Sequence, residues 1–343
     1  MMGIKSLWQV FLLAPVLAAC SPGSGKVGAE GAASSVSILN VSYDPTRELY
    51  LEYNPLFQKY WREKTGQEVT VQQSNGGSGK QSLAVMNGLK ADVVTLALAH
   101  DIDALNKIKP LVNPKWQQAF PDNSAPYTST VVFLVRKRNP KNIRDWGDLV
   151  KDDVAVLTPN PKTSGGARWN FLAAWAYAKH QPGGSDAKAE EFVRKLYQRV
   201  PVMDAGARAS TISFTQRGLG DVLLAWENEA HLAVRQSGGA YEIIIPSLSI
   251  LCEPSVAVVD ANVDEKGTRE VASEYLRHLY SEEAQRIIAK NFYRPVNKKV
   301  RAEFADAFPV ISLVKIDEEF GGWEKAQQRF FADGGVFDRI YKH

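Results

Sequence analysis

From residue 36 onward the apolar positions follow two alternating periods. Short runs rich in Val, Ile and Leu have the length and β-branched content of strands: 38–43 (ILNVSY), 69–73, 93–97, 130–136 (TVVFLVR), 154–157, 200–203, 222–226 and 241–246. Between them lie stretches with one apolar face at helical spacing, at 48–65, 80–89, 167–180, 186–199, near 210–217, at 270–289 and around 323–331. Strands alternating with helices predict an α/β chain whose sheets are mostly parallel and carry helices on both faces.

One construction occurs three times. A strand ends, a turn rich in Ser, Gly and Ala follows, and a helix begins. The turns are Ser74-Asn75-Gly76-Gly77-Ser78-Gly79, Pro161-Lys162-Thr163-Ser164-Gly165-Gly166 and Asp204-Ala205-Gly206-Ala207-Arg208. The start of a helix leaves several backbone N–H groups without intrahelical acceptors and adds about half a positive charge. Small residues let an anion approach those groups closely, and the hydroxyls of Ser78 and Ser164 add donors. One such turn also serves as a plain helix cap. Three in one α/β chain, each at the carboxyl end of a strand, point to an anion site.

Charge does not supply that site. The 343 residues carry 41 Lys and Arg against 38 Asp and Glu, a formal net charge of +3, which gives little pull toward nucleic acid or anionic lipid. An anion must therefore be held by local geometry. At the N-terminus, Lys5 precedes an apolar run at 7–19 (LWQVFLLAPVLAA), too short to span a bilayer comfortably and of secretory type. It ends in Leu17-Ala18-Ala19-Cys20, which resembles the bacterial lipoprotein signal, where the cysteine thiol is alkylated with diacylglycerol and the peptide is cut before it. Residues 21–35 (SPGSGKVGAEGAASS) then read as a flexible tether. The other cysteine, Cys252, lies between apolar residues and reads as a buried small hydrophobe.

Spacing argues against the competing chemistries. Gly79-Lys80 is followed by Gln81, and Ser74 stands where a phosphate-binding loop of the nucleotide type needs its first Gly. Around Ser78, Lys80 occupies the last position of a hydrolase Gly-x-Ser-x-Gly elbow. The five histidines show no i, i+4 pairing and no cysteine partner, so metal ligation is not expected. A secreted hydrolase acting on sulfate or phosphate esters stays open as an alternative, without a paired nucleophile and base to support it.

From about residue 39 to 341 the chain resembles the periplasmic sulfate-binding proteins of ABC importers. The matching stretches are NVSYDPTRELY (40–50), GGSGKQ (76–81), APYTSTVVFLVRK (125–137), TPNPKTSGGARWN (158–170), GLGDVLLAWENEA (218–230) and NFYRPVN (291–297). The resemblance implies a two-lobed periplasmic-binding-protein fold of type II, each lobe a mostly parallel sheet flanked by helices, joined by crossing hinge strands. The expected division is a signal peptide at 1–19, the lipidated Cys20 and tether at 20–35, one lobe from 36–125 plus 251–343, and the other from 126–250. Carried over by motif, Ser78 donates to one dehydrated sulfate from the first lobe. Ser164 (hydroxyl), Gly165 and Gly166 (N–H), Ala207 (N–H) and the Trp226 indole donate from the second. Asp44 and Arg168 match supporting positions behind the binding loops. The resemblance also implies no catalysis, no cofactor besides the ligand, and delivery of sulfate to a membrane permease with its ATPase. The expected state is a monomer in the periplasm, anchored through Cys20.

The implied ligand fits the residues. Sulfate has no proton to give at neutral pH, so its site should hold donors only, whereas a phosphate site benefits from an accepting carboxylate. The turns at Ser78 and Ser164 contain no Asp or Glu; Asp204 lies three residues before Ala207, and its direction is not legible in the sequence. Thiosulfate is the nearest rival ligand, although Ala225-Trp226-Glu227-Asn228-Glu229 follows the sulfate type. Lys80, Lys162, Arg168 and Arg208 flank the turns; Lys80 and Lys162 are expected to pair with nearby carboxylates or cap loops rather than touch the anion.

Overall fold

The run read as the first strand forms β1 (Ser35–Tyr43), in which Ile38, Val41 and Tyr43 are fully buried. The molecule is described here by a computed structural model covering residues 35–341; the expected signal peptide and Cys20 lie outside the described residues. After β1 come α1 (Arg47–Thr65), β2 (Glu68–Gly76), α2 (Ser78–Met86), β3 (Val93–Leu96) and α3 (Ala99–Asp103). Helix α1 stops at Gly66, whose φ of 73° lets its N–H close on the Arg62 carbonyl at 2.8 Å. β1 pairs in parallel with β2 and β3.

The chain then enters β4 (Tyr127–Arg136), followed by β5 (Val156–Leu157), α4 (Gly165–Lys179), α5 (Asp186–Gln198), α6 (Ala207–Thr215), β6 (Val222–Trp226), α7 (Glu227–Gln236), β7 (Tyr241–Ile244) and β8 (Ser249–Cys252). Through Glu253 and Pro254 it returns to the first sheet as β9 (Ser255–Val258), antiparallel to β3. The first sheet has the order β2-β1-β3-β9 and the second the order β11-β8-β4-β6-β5, with β10 (Arg294–Pro295) and β7 also on β4; β11 is Leu313–Val314. These are two α/β lobes joined by crossing strands.

Four expectations change in detail. β4 pairs antiparallel with β6, β7, β8 and β10, so parallel pairing in the second sheet is confined to β5 with β6 and β8 with β11. Residues 200–203 form no strand: Pro201 offers no N–H, Val202 is exposed, and the segment runs as an open loop into α6. The single helix expected at 270–289 is two, α8 (Arg269–His278) and α9 (Glu282–Lys290), because Ser281 takes the Ala284 N–H and caps the second. Finally, the C-terminal segment crosses back. Trp323 packs edge-on against Trp169 at 4.5 Å, Phe330 against Trp175 at 4.8 Å and Phe331 against Phe171 at 5.2 Å, so it lies on α4 rather than with the first sheet. Cys252 is free and fully buried, as its neighbours suggested.

Candidate functional site

The three turns open helices α2, α4 and α6, and two of these three have no side-chain cap. Ser185, Ser281 and Asn297 cap their helices with side-chain oxygens. The caps of α2 and α6 are Gly77 and Gly206, which have no side chain to cover the first-turn N–H groups. At α4, Ser164 caps, but its hydroxyl takes only the Ala167 N–H, at 3.4 Å, and its carbonyl takes that of Arg168. Gly165 and Gly166 keep their N–H groups without an acceptor inside the helix.

Glycine is required there because the two lobes meet at these residues. A Cβ on Gly165 would stand 2.7 Å from Ala97 Cβ, 3.0 Å from Leu98 Cδ2 and 3.1 Å from Ser78 Cβ. A Cβ on Gly166 would overlap the Tyr43 hydroxyl and lie 3.6 Å from Trp226 Nε1. A Cβ on Gly77 would stand 3.1 Å from the Thr163 carbonyl and 3.6 Å from that of Ala205. The turn of the first lobe therefore touches both turns of the second. Thr163 Oγ1 donates to the Ala205 carbonyl at 2.8 Å and Asn160 N to that of Asp204 at 2.8 Å, locking the last two turns together. Ser78, Gly165, Gly166 and Trp226 are thus gathered at one place, and Ala207 opens the helix beside them.

Tyr43 joins Trp226 there as a second side-chain donor. Trp226 Nε1 and the Tyr43 hydroxyl are buried with no hydrogen-bond partner, and their rings pack at 5.2 Å between centroids. A buried polar group without a partner costs on the order of 1–3 kcal/mol, so two side by side mark a place that needs a ligand. Burial, with the Glu229 carboxylate adding to it, pushes the Tyr43 phenol far up, so it stays a neutral O–H donor. Tyr43 was not singled out from the sequence: at the end of a buried strand it reads as core.

Ser78 differs from its expected role. Its hydroxyl donates to Asp101 Oδ2 at 2.5 Å and accepts the Ala97 N–H at 3.0 Å, so the side chain is engaged within its own lobe and only its N–H, in the first turn of α2, is open. The other oxygen of Asp101 receives Arg168 Nη1 at 3.0 Å, and Arg168 Nε donates to the Pro161 carbonyl at 2.9 Å. Both members of this ion pair are buried, and it joins α3 of the first lobe to α4 of the second. Arg168 therefore braces the Ser164 turn. Burial lowers the neighbouring His100 to about 4, leaving it neutral. Asp44 pairs with Arg47 at 2.6 Å in the turn between Tyr43 and α1. Lys162 pairs with Asp338 at 2.8 Å and donates to the Phe331 carbonyl at 3.0 Å, facing away from the site. Asp204 Oδ1 accepts from Ser213 at 3.1 Å, and its Oδ2 is buried without a partner.

The arrangement can hold a compact, fully ionised anion between two lobes, using neutral donors and first-turn N–H groups while the nearby cations are spent on carboxylates. Residues 43–294 match the model of the bacterial extracellular solute-binding proteins. The chain belongs to that family. Its relatives include a sulfate-binding protein of Escherichia coli, 58% identical over 90% of this chain and 94% of that one. A thiosulfate-binding protein of Pseudomonas aeruginosa is 50% identical over 89% of this chain and 92% of its own. Among solved structures, the sulfate-binding protein SubI from Mycobacterium tuberculosis H37Rv matches with a TM-score of 0.77 at 34% identity, covering 86% of this chain and 99% of that one.

Proposed function

We propose that this protein is the extracytoplasmic receptor of a sulfate importer: it captures one sulfate between its lobes, closes by a hinge, and presents the anion to a membrane permease driven by its ATPase. The observation that carries the reading is the pair of unpartnered buried donors, Trp226 Nε1 and Tyr43 Oη, beside Gly166 in the first turn of α4. With the N–H groups of Ser78, Gly165, Gly166 and Ala207 and the hydroxyl of Ser164, they make a donor set for an anion that brings no proton. Charge-assisted hydrogen bonds of about 1.5–3 kcal/mol each offset the dehydration of a dianion and leave affinity of about −8 kcal/mol, a micromolar constant.

No catalytic step is part of this reading. The protein acts as a monomer in the periplasm, with Cys20 as the lipidated residue that holds it to the membrane. Calorimetric titration with sulfate, thiosulfate, molybdate and phosphate tests the ligand: sulfate binds at one per chain without turnover, and phosphate binds far more weakly. Tight phosphate binding would make Asp204 Oδ2 an acceptor in the site and overturn the choice of sulfate. A preference for thiosulfate would shift the reading to the chemistry named for the Pseudomonas aeruginosa relative. Labelling with a radioactive fatty acid, abolished by Cys20→Ser, tests the anchor.

A further inference from the structure

The stretch 291–297 (NFYRPVN) lies outside the three turns, and its Phe292 has a φ of 61°, in the left-handed region. Phe292 closes α9: its N–H donates to the Ala289 carbonyl at 2.9 Å, and that of Tyr293 to the Ile288 carbonyl at 3.1 Å. Glycine usually stands at this position of a helix end, because it has no Cβ to clash. Gly66, Gly267 and Gly321 end other helices of the chain with φ of 73°, 70° and 70°. A bulky residue held in a strained conformation points to a use for its ring.

That ring lies on α7. It stacks on the His231 ring at 4.7 Å and 14°, and the Arg235 guanidinium sits 5.1 Å from its centre. The next two residues hold the same helix. Tyr293 Oη accepts from Asn228 Nδ2 at 2.9 Å, and Arg294 Nε and Nη2 donate to the buried Glu227 carboxylate at 2.6 and 2.8 Å. Glu227, His231 and Arg235 follow one another at intervals of four, so three consecutive residues clasp one face of α7 from its first turn to its last. The clasp sits where the chain passes between lobes. Ala284 of α9 packs in the apolar cluster of Phe57 and Trp61 in the first lobe, whereas β10, which begins at Arg294, pairs with β4 of the second sheet. Trp226 is the last residue of β6 and immediately precedes α7, so the seat of that helix sets the direction of its indole.

We propose that Phe292 is a positioning residue for the Trp226 donor: its ring seats α7, and with it Trp226 Nε1, and this use keeps a phenylalanine where the backbone favours glycine. The proposal rests on sulfate being the ligand, with the Trp226 indole among its donors.

The test uses the full chain and calorimetric titration with sulfate, alone and in a double-mutant cycle with Trp226→Phe. Phe292→Gly removes ring and strain together. Its sulfate dissociation constant rises about tenfold, the low end of what loss of a hydrogen bond to a charged acceptor produces, while relief of the strain keeps the melting temperature of the sulfate-free protein level. Phe292→Tyr, which keeps the ring, retains wild-type affinity. In the Trp226→Phe background, Phe292→Gly changes the dissociation constant by less than about twofold, because the donor it positions is already gone. Wild-type affinity in the Gly variant overturns the proposal and leaves the sulfate reading standing. So does an equal loss in both backgrounds, which makes the ring a support of the fold or hinge with no link to Trp226. Absence of sulfate binding by the wild type overturns the proposal together with the reading beneath it.

Discussion

Replacing Trp226 by Phe isolates a single proposed bond. The indole is buried, packs on Tyr43 at 5.2 Å, and its Nε1 has no partner within the protein. Phe keeps an aromatic ring on the same Cβ and removes the N–H. Nothing in the protein loses a hydrogen bond, so the loss falls on the bound anion alone. A hydrogen bond to a charged acceptor contributes about 1.5–3 kcal/mol, and with about 1.4 kcal/mol per tenfold the sulfate dissociation constant should rise roughly 10- to 150-fold. The smaller ring also leaves a cavity, which lowers stability with or without ligand and largely cancels from the affinity. Calorimetric titration at fixed ionic strength, paired with melting of the sulfate-free protein, separates the two effects. An affinity within twofold of wild type would remove the Trp226 indole from the site and leave its unpartnered nitrogen without a function.

Three other outcomes follow from the geometry. Gly165→Ala places a methyl against Ala97, Leu98 and Ser78, all in the opposite lobe; sulfate should no longer compact the protein in small-angle scattering, and affinity should fall more than tenfold with little change in the melting of the sulfate-free form. Ser164→Ala removes both a helix cap and a proposed donor; affinity should fall by about 1.5–3 kcal/mol in calorimetry, and stability by about 1 kcal/mol in denaturant titration. Glu274 accepts from Tyr60, Lys64 and Arg277 at 2.6, 2.7 and 2.6 Å. Burial alone would raise its carboxyl, but these bonds outweigh it and bring the group down to about 2 from an ordinary 4.5. Its stabilisation is complete above about pH 4.5 and lost as the pH falls toward 2. Solvent around Lys64 and Arg277 limits it to about 1–2 kcal/mol, so Glu274→Gln should lower stability at pH 7, with the deficit closing between pH 4.5 and 2 in urea titrations.

The parts of the site that were legible in the sequence are those fixed by local covalent constraint. Glycines at 77, 165 and 166 announce places where backbone must come close to something, and the helices that follow announce free N–H groups. What depends on long-range contact was hidden. The Ser78 hydroxyl looked free because its acceptor, Asp101, stands 23 residues away. Tyr43 looked like core because a buried tyrosine at a strand end usually is. The run at 200–203 has β-branched residues at strand spacing, but the segment beside it bonds only to its flanks, Val156 N to the Arg199 carbonyl and Asn160 N to that of Asp204, and no ladder forms between them. Strand direction in the second sheet was unreadable for a related reason. β4 is apolar from Val131 to Val135 and buried there on both faces, which suits parallel pairing, while its actual partners are chosen by where the chain crosses between lobes.

The return of the C-terminal segment onto α4 has a practical side. The described chain begins in β1 at the centre of the first sheet and ends with Phe337 stacked on Tyr341 and edged against Tyr197 of α5. Head and tail are thus carried by different lobes. A pair of fluorophores, one at each extremity, would report the separation of the halves through energy transfer in real time, without placing a probe near the ligand.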